Sequence, residues 1–120
     1  MVSMMAGQQI LDRDHLARYT LGDVALEQEV LGLFIGQMPE TVAMLRGSGD
    51  AHAWTLAAHT IKGSARAVGA WRLADVAERA ESHSECVDRW AQLADEVECA
   101  LAEVRARIAV EENAAPSECV

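Results

Sequence analysis

Apolar residues recur every three or four positions along most of the chain, which is the period of a helix that buries one face. The longest such stripe comprises Val30, Leu31, Phe34, Ile35, Met38, Val42 and Leu45. A Gly-Ser-Gly run at 47–49 ends it, and Asp50 can cap a following helix that extends to about Val68. Because Pro39 lies inside the long stripe, we expect a kink or a local break there.

Two further stripes and a short leading segment complete the pattern. One stripe follows Gly69 and comprises Leu73, Val76, Ala77 and Ala80; the last comprises Trp90, Leu93, Val97, Leu101, Val104 and Ile108. Asp12 can cap a short first helix that ends near Tyr19. The pattern predicts an all-α fold, an antiparallel up-down four-helix bundle with a short additional N-terminal helix. We assign one domain to residues 10–112, between loose tails at 1–9 and 113–120.

Composition and charge agree with a globular helical domain and restrict its partners. The 120 residues are 51% apolar and 24% charged, which is sufficient for a packed core. The formal charge of −9 repels phosphate backbones and anionic lipid, so we expect no nucleic-acid and no membrane partner. The sequence has no apolar run long enough to span a bilayer, no signal-like N-terminus and no paired cysteine motif, which favours the cytoplasm.

The helix predicted from Asp50 to Val68 carries the unusual chemistry. At about 100° per residue, one face of this helix collects Trp54, Ala57, Ile61, Ala65 and Val68, which predicts the buried side. His59 lies on the opposite side, and the residues within about 60° of it are Thr55, Lys62, Gly63 and Arg66. We therefore expect a solvent-exposed histidine with cations beside it, rather than a histidine of the core.

Gly63 distinguishes this histidine from an ordinary surface residue. A glycine inside a helix costs about 1 kcal/mol relative to alanine, so its position one turn after His59 suggests that a bare surface is useful there. It leaves room for a partner protein to approach the imidazole, and Lys62 offers a mobile ammonium that can meet a phosphoryl oxygen. Together these residues indicate a nucleophile that reacts with a group brought by another protein.

The residues around His59 match a known signature. Residues 58–65 are Ala-His-Thr-Ile-Lys-Gly-Ser-Ala, and Val-Gly-Ala at 68–70 and Leu-Ala at 73–74 follow. This arrangement resembles the histidine-containing phosphotransfer (HPt) domains of bacterial two-component phosphorelays. Looser similarity upstream, at Leu33-Phe34, Pro39, Leu45-Arg46 and Gly49-Asp50, extends the resemblance to about residues 10–110.

The resemblance implies roles for individual residues. His59 would accept a phosphoryl group from a receiver-domain aspartate and pass it to another receiver, with Lys62 stabilising the phosphoryl group and Gly63 permitting docking. Thr55 and Arg66, on the same face, would contact the partner. Receiver domains of response regulators and a hybrid histidine kinase are the implied partners.

A second helix is expected to complete the site. By motif offset, Glu81 falls where several family members place a polar residue that hydrogen-bonds the active imidazole. A carboxylate there would accept the Nδ1 proton of His59 and leave Nε2 to attack, although a solvated acid on the helix face fits the sequence equally well. The sequence shows no carboxylate cluster near His59, so we expect no cofactor of its own and Mg²⁺ supplied by the receiver. The balanced apolar stripes favour a monomer.

Other functions fit the sequence less well. A metal site built from His15, His52, His59 and His83 is disfavoured because His52 and His59 are roughly 10 Å apart along the helix axis. A nucleophile formed by Cys86 and His83 would need a third, orienting group. The histidine of a sensor-kinase dimerisation helix is usually followed by an acid and then a proline, whereas Thr-Ile-Lys follows His59.

Two functions remain, a phosphocarrier and a receiver-binding adaptor. Without an ATP-binding domain we expect a phosphocarrier rather than a kinase that phosphorylates itself. A helical adaptor that binds receivers without carrying phosphate stays open as the alternative function, and phosphate uptake separates the two.

The three tryptophans, Trp54, Trp71 and Trp90, could form a ligand platform, but two of them lie on predicted core stripes, which favours a core role.

Overall fold

A computed structural model describes the backbone of residues 9–114 and the side chains of residues 9–110. Within this range the helices are α1 (Arg13–Thr20), α2 (Val24–Arg46), α3 (Ala51–Val68), α4 (Trp71–Ser82) and α5 (Trp90–Ala114), with a 3₁₀ turn at Val87–Arg89. Each of the four long helices contacts the next, and α5 returns to contact α2, while α1 contacts α2 and α3. The predicted all-α bundle with a short N-terminal helix is confirmed.

Aspartates begin three of the helices. The Oδ1 atoms of Asp12, Asp23 and Asp50 accept hydrogen bonds from the backbone N–H three residues later, at 3.1, 3.1 and 2.8 Å. Each bond satisfies one of the donors that a helix N-terminus leaves without an intrahelical partner. The predicted caps at Asp12 and Asp50 are therefore confirmed.

Pro39 does not interrupt α2. Of the expected kink or local break, the break is wrong, because the helix is continuous from Val24 to Arg46. Pro39 lies on the exposed side of the helix, where the carbonyl of Ile35, which loses its N–H partner, can bind water instead. On the core side Met38 and Val42 are buried across the proline, and that packing maintains the helix.

The core lies between α2, α3, α4 and α5, and two of the three tryptophans pack in it or against it. Trp54 is fully buried, and Trp90 packs over it with ring centroids 4.5 Å apart and ring planes within 4°. Trp71 is half-buried and donates its Nε1–H to Asp12 Oδ2 at 2.8 Å. The expected core role is confirmed for Trp54, and Trp90 is partly buried against the core. None of the helices in the described part of the chain is sufficiently long and apolar to cross a membrane.

Arginines of α2 and α4 pair with acidic residues of α5. The pairs are Arg46 with Asp95 and Glu98, Arg79 with Glu96, and Arg72 with Glu103. Exposed ion pairs of this kind add little stability, so their main effect is on charge. They balance part of the acidic surplus along α5.

The segment before α1 is fastened over the turn between α3 and α4. The backbone N–H of Asp12 donates to the carbonyl of Gly69 at 2.8 Å, and the carbonyl of Gln9 accepts from the N–H of Arg72 at 2.9 Å. The predicted tails lie largely outside the described residues. At the other end of the range, α5 continues to Ala114.

We expect Gly69→Ala to lower the free energy of unfolding by about 2 kcal/mol or more. Gly69 has φ of 83°, a conformation that costs an L-residue roughly 1–2 kcal/mol, and a Cβ there would lie 2.9 Å from the carbonyl oxygen of Asp12. Gly36→Ala is the matched control, because a Cβ at Gly36 meets nothing within 4 Å and a helix interior prefers alanine by about 1 kcal/mol. Urea denaturation measures both variants, and equal effects would contradict the prediction.

Candidate functional site

His59 stands on the exposed side of α3. Its imidazole side chain is 64% exposed, while the five residues predicted to face the core, Trp54, Ala57, Ile61, Ala65 and Val68, are all buried. The helical period alone therefore predicted correctly which side of α3 is buried and which is exposed. An imidazole with this exposure is accessible to a group carried by another protein.

Glu81 of α4 lies beside the imidazole. Its Oε2 atom is 3.1 Å from Nδ1 of His59. A carboxylate only accepts hydrogen bonds, so in the neutral imidazole this contact requires the proton on Nδ1 and leaves the lone pair on Nε2. The motif offset thus identified a residue that the structure does bring to His59, where its carboxylate contacts both His59 and Lys62.

Lys62 is held by the same carboxylate. Its Nζ atom is 2.7 Å from Glu81 Oε1, and its side chain is only 16% exposed. The expected mobile ammonium is therefore corrected to one fixed in an ion pair, because position i+3 from His59 directs Lys62 towards α4 rather than into solvent. Lys62 is also the only lysine in a sequence whose other basic residues are arginines, a feature that could have singled it out earlier.

The remaining predicted residues surround this pair. Gly63 is exposed, and a Cβ built on it meets nothing within 4 Å, so the surface beside His59 is open. Arg66 is exposed and pairs with Glu78 Oε1 at 3.0 Å, and Thr55 is half-buried. We call the surface formed by His59, Lys62, Gly63, Arg66 and Glu81 the His59 face.

Large apolar side chains are exposed on α3 and α2, and one of them lies next to His59 along the helix. Leu56, about one turn before His59 on α3, is 57% exposed, and Leu33 and Met44 of α2 are exposed to a similar degree. Leu33 and Met44 are three turns apart and so share one flank of α2. The opposite flank, with Pro39 and Ala43, borders α5. Leu33 and Met44 therefore lie on the flank of α2 away from α5.

The other histidines occupy separate settings. His15 packs edge-on against Tyr19 and Trp71, with centroids 5.2 and 5.0 Å away, and Nδ1 of His83 is 2.7 Å from the carbonyl oxygen of Arg79. Among residues 9–110, no group of three or more His, Cys, Asp or Glu side chains is arranged to hold a metal ion. The His59 site itself brings together an imidazole, a carboxylate and an ammonium.

The pH dependence of stability should report on Glu81. The Lys62 ammonium, followed by His59, holds the pKa of the Glu81 carboxyl below its ordinary value of 4.5. A lowered pKa in the folded state stabilises the protein fully above the ordinary value, and this contribution is lost as pH falls through the folded pKa. We expect Glu81→Gln to lose less stability than wild type between neutral pH and about pH 3, measured by urea unfolding. Equal losses would refute the coupling.

Comparison with known proteins adds one match. A family model described as Hpt domain matches residues 29–107, well over half of the chain. The matched range runs from α2 into α5 and includes every residue of the His59 face, while α1 lies before it. Neither the curated proteins nor the solved structures gave a match.

Proposed function

The chain belongs to the Hpt domain family, the histidine phosphotransfer domains of two-component systems, and we propose that it shuttles a phosphoryl group between receiver-domain aspartates through His59. The observation that carries the proposal is the contact between Nδ1 of His59 and Glu81, which leaves Nε2 of an exposed imidazole free to attack. Action as a monomer in the cytoplasm, predicted from the sequence, belongs to the same proposal.

The proposed step is an in-line displacement at phosphorus. Nε2 of His59 attacks the aspartyl phosphate of the receiver, so an N–P bond forms as the bond from phosphorus to the aspartate oxygen breaks and the carboxylate leaves. The proton stays on Nδ1, hydrogen-bonded to Glu81, whose negative charge stabilises the positive charge that develops on the ring. The reverse step, with a different receiver aspartate as nucleophile, passes the group on.

Lys62 supplies the charge that meets the phosphoryl oxygens. A phosphoryl group adds about two negative charges, and an ammonium with three donors can keep Glu81 with one N–H and turn another towards a phosphoryl oxygen. The two carboxylates of α4 on this side, Glu78 and Glu81, already pair with Arg66 and Lys62. We therefore assign Mg²⁺ to the receiver, with no cofactor held by this chain.

Docking would use the open surface around the imidazole. Gly63 lets a receiver approach His59 closely, and Thr55 and Arg66 offer a hydroxyl and a guanidinium at its edge. The exposed side chain of Leu56 adds apolar area that a protein partner can bury. Receiver domains of response regulators and of a hybrid histidine kinase are the proposed partners.

Transfer from a phosphorylated receiver tests the proposal. A receiver domain labelled with radioactive phosphate on its aspartate, with Mg²⁺, is mixed with this chain, and both are separated by electrophoresis. We expect the label to move to this chain and then to a second, unlabelled receiver when one is added. Binding without movement of label, across several receivers, would instead support the adaptor that carries no phosphate.

A further inference from the structure

Trp54 connects the core to the His59 face. It is the largest of the fully buried side chains and lies five residues before His59, on the opposite side of α3. Its Nε1–H donates to the carbonyl oxygen of Ala80 at 2.7 Å in the buried interior. Because Ala80 directly precedes Glu81, α3 and α4 are joined twice at this level, by Trp54 inside and by Glu81 outside.

The last turn of α4 needs such an anchor. α4 ends at Ser82, so the carbonyls of its final turn have no N–H partner within the helix. His83 provides two local donors, its Nδ1 to the carbonyl of Arg79 at 2.7 Å and its backbone N–H to that of Ala80 at 3.2 Å. The third donor, the indole N–H of Trp54, comes from another helix. It holds the turn that carries Glu81 against the helix that carries His59.

The Trp54 ring is itself fixed by Trp90. The two rings stack with centroids 4.5 Å apart, and Trp90 is the first residue of α5. Nε1 of Trp90 is buried and, within the described residues, has no hydrogen-bond partner. The stacked pair therefore combines one indole N–H that is used with one that is not, which provides a matched control.

We propose that Trp54 is a positioning residue for the phosphotransfer site. Its indole N–H fixes the last turn of α4, so that Glu81 keeps one oxygen on Nδ1 of His59 and the other on the Lys62 ammonium. An aliphatic side chain would fill much of the same space but would offer no donor to Ala80. This inference rests on the proposed function of His59, and it adds a residue that does not itself touch the reacting atoms.

Trp54→Phe and Trp90→Phe separate the hydrogen bond from ring packing. Both keep an aromatic ring, and only Trp54→Phe removes a donor that has a partner. The ¹⁵N NMR spectrum of the His59 imidazole reports its tautomer without any phosphate. We expect the Nδ1–H tautomer to dominate in wild type and Trp90→Phe, and the tautomer ratio to shift roughly 3- to 10-fold towards Nε2–H in Trp54→Phe, the range that one buried hydrogen bond supports. Identical ratios in all three proteins would overturn the proposal.

A double-mutant cycle with Glu81→Ala tests whether Trp54 acts through Glu81. We expect Trp54→Phe to slow transfer from a phosphorylated receiver by roughly 3- to 10-fold in wild type and to add no further loss once Glu81 is removed. The same loss in both backgrounds would show a general effect of the core and overturn the proposal. If the wild-type protein accepts no phosphate, the proposed function is overturned. The comparison of tautomer ratios still tests the role of Trp54, because it needs no phosphate.

If Trp54→Phe does not fold, hydrogen exchange of the Trp54 indole N–H tests the proposal in proteins that keep Trp54. Coupling between two sites is reciprocal, so removing Glu81 should loosen the bond from Trp54 to Ala80. We expect hydrogen exchange of the Trp54 indole N–H to be faster in Glu81→Ala than in wild type, with the Trp71 indole unchanged. Unchanged exchange at Trp54 would contradict the proposal.

Discussion

His59→Gln should leave the chain folded and unable to accept phosphate. The glutamine amide can still donate a hydrogen bond to Glu81, but it has no nucleophilic nitrogen in place of Nε2. Because the side chain is 64% exposed, its replacement should change the free energy of unfolding by no more than about 0.5 kcal/mol. Circular dichroism checks the helices, and intact mass after mixing with a phosphorylated receiver and Mg²⁺ checks uptake. Phosphate on this variant would refute the assignment of His59.

His52→Gln is the matched control for that variant. His52 is an exposed histidine of the same helix, two turns earlier and on the same side as His59. Glu81 contacts His59, and no role in transfer is assigned to His52, so His52→Gln should take up phosphate as wild type does. Loss of uptake in this control would mean that transfer depends on the general surface of α3 rather than on one imidazole.

Lys62→Ala should slow transfer by about 10- to 100-fold without abolishing it. Removing one donor aimed at developing charge costs about 100-fold or more in enclosed sites, and the His59 face is open to solvent, which weakens the effect. The variant also leaves the Glu81 carboxylate without its ammonium, so two negative groups would face each other in the phosphorylated state. Single-turnover transfer from a labelled receiver measures the rate.

An exposed arginine outside the His59 face is the control for this prediction. Arg107→Ala, which removes an exposed cation of α5 outside the His59 face, should transfer at the wild-type rate. A Lys62→Ala rate equal to that of wild type would remove Lys62 from the mechanism.

The parts of the fold and site that could be predicted from the sequence depend on local geometry. The caps at Asp12 and Asp50 bond to the backbone three residues away, and the exposure of His59 follows from the period of one helix. The approach of Glu81 was available because its offset from His59 matches the resemblance to HPt domains. The caps and the exposure of His59 required no knowledge of how helices cross, whereas the approach of Glu81 joins two helices and came only from the resemblance.

The parts that could not be predicted depend on contacts between helices. α2 remains continuous at Pro39 because packing on its core side outweighs the local cost of the proline. The ion pair of Lys62 with Glu81 and the bond from Trp54 to the Ala80 carbonyl both require the spacing between α3 and α4. Hydrophobic pattern places Trp54 in the core but does not reveal which carbonyl its indole meets.

The position of the phosphate on the imidazole tests the account most directly. Glu81 holds Nδ1 of His59, so phosphate accepted from a phosphorylated receiver should appear on Nε2. Nuclear magnetic resonance of phosphorus and of the imidazole nitrogens distinguishes the two phosphohistidine isomers, and intact mass counts the groups. The account predicts one acid-labile phosphate on Nε2 of His59. Phosphate on Nδ1, on another residue or on no residue of this chain would contradict it.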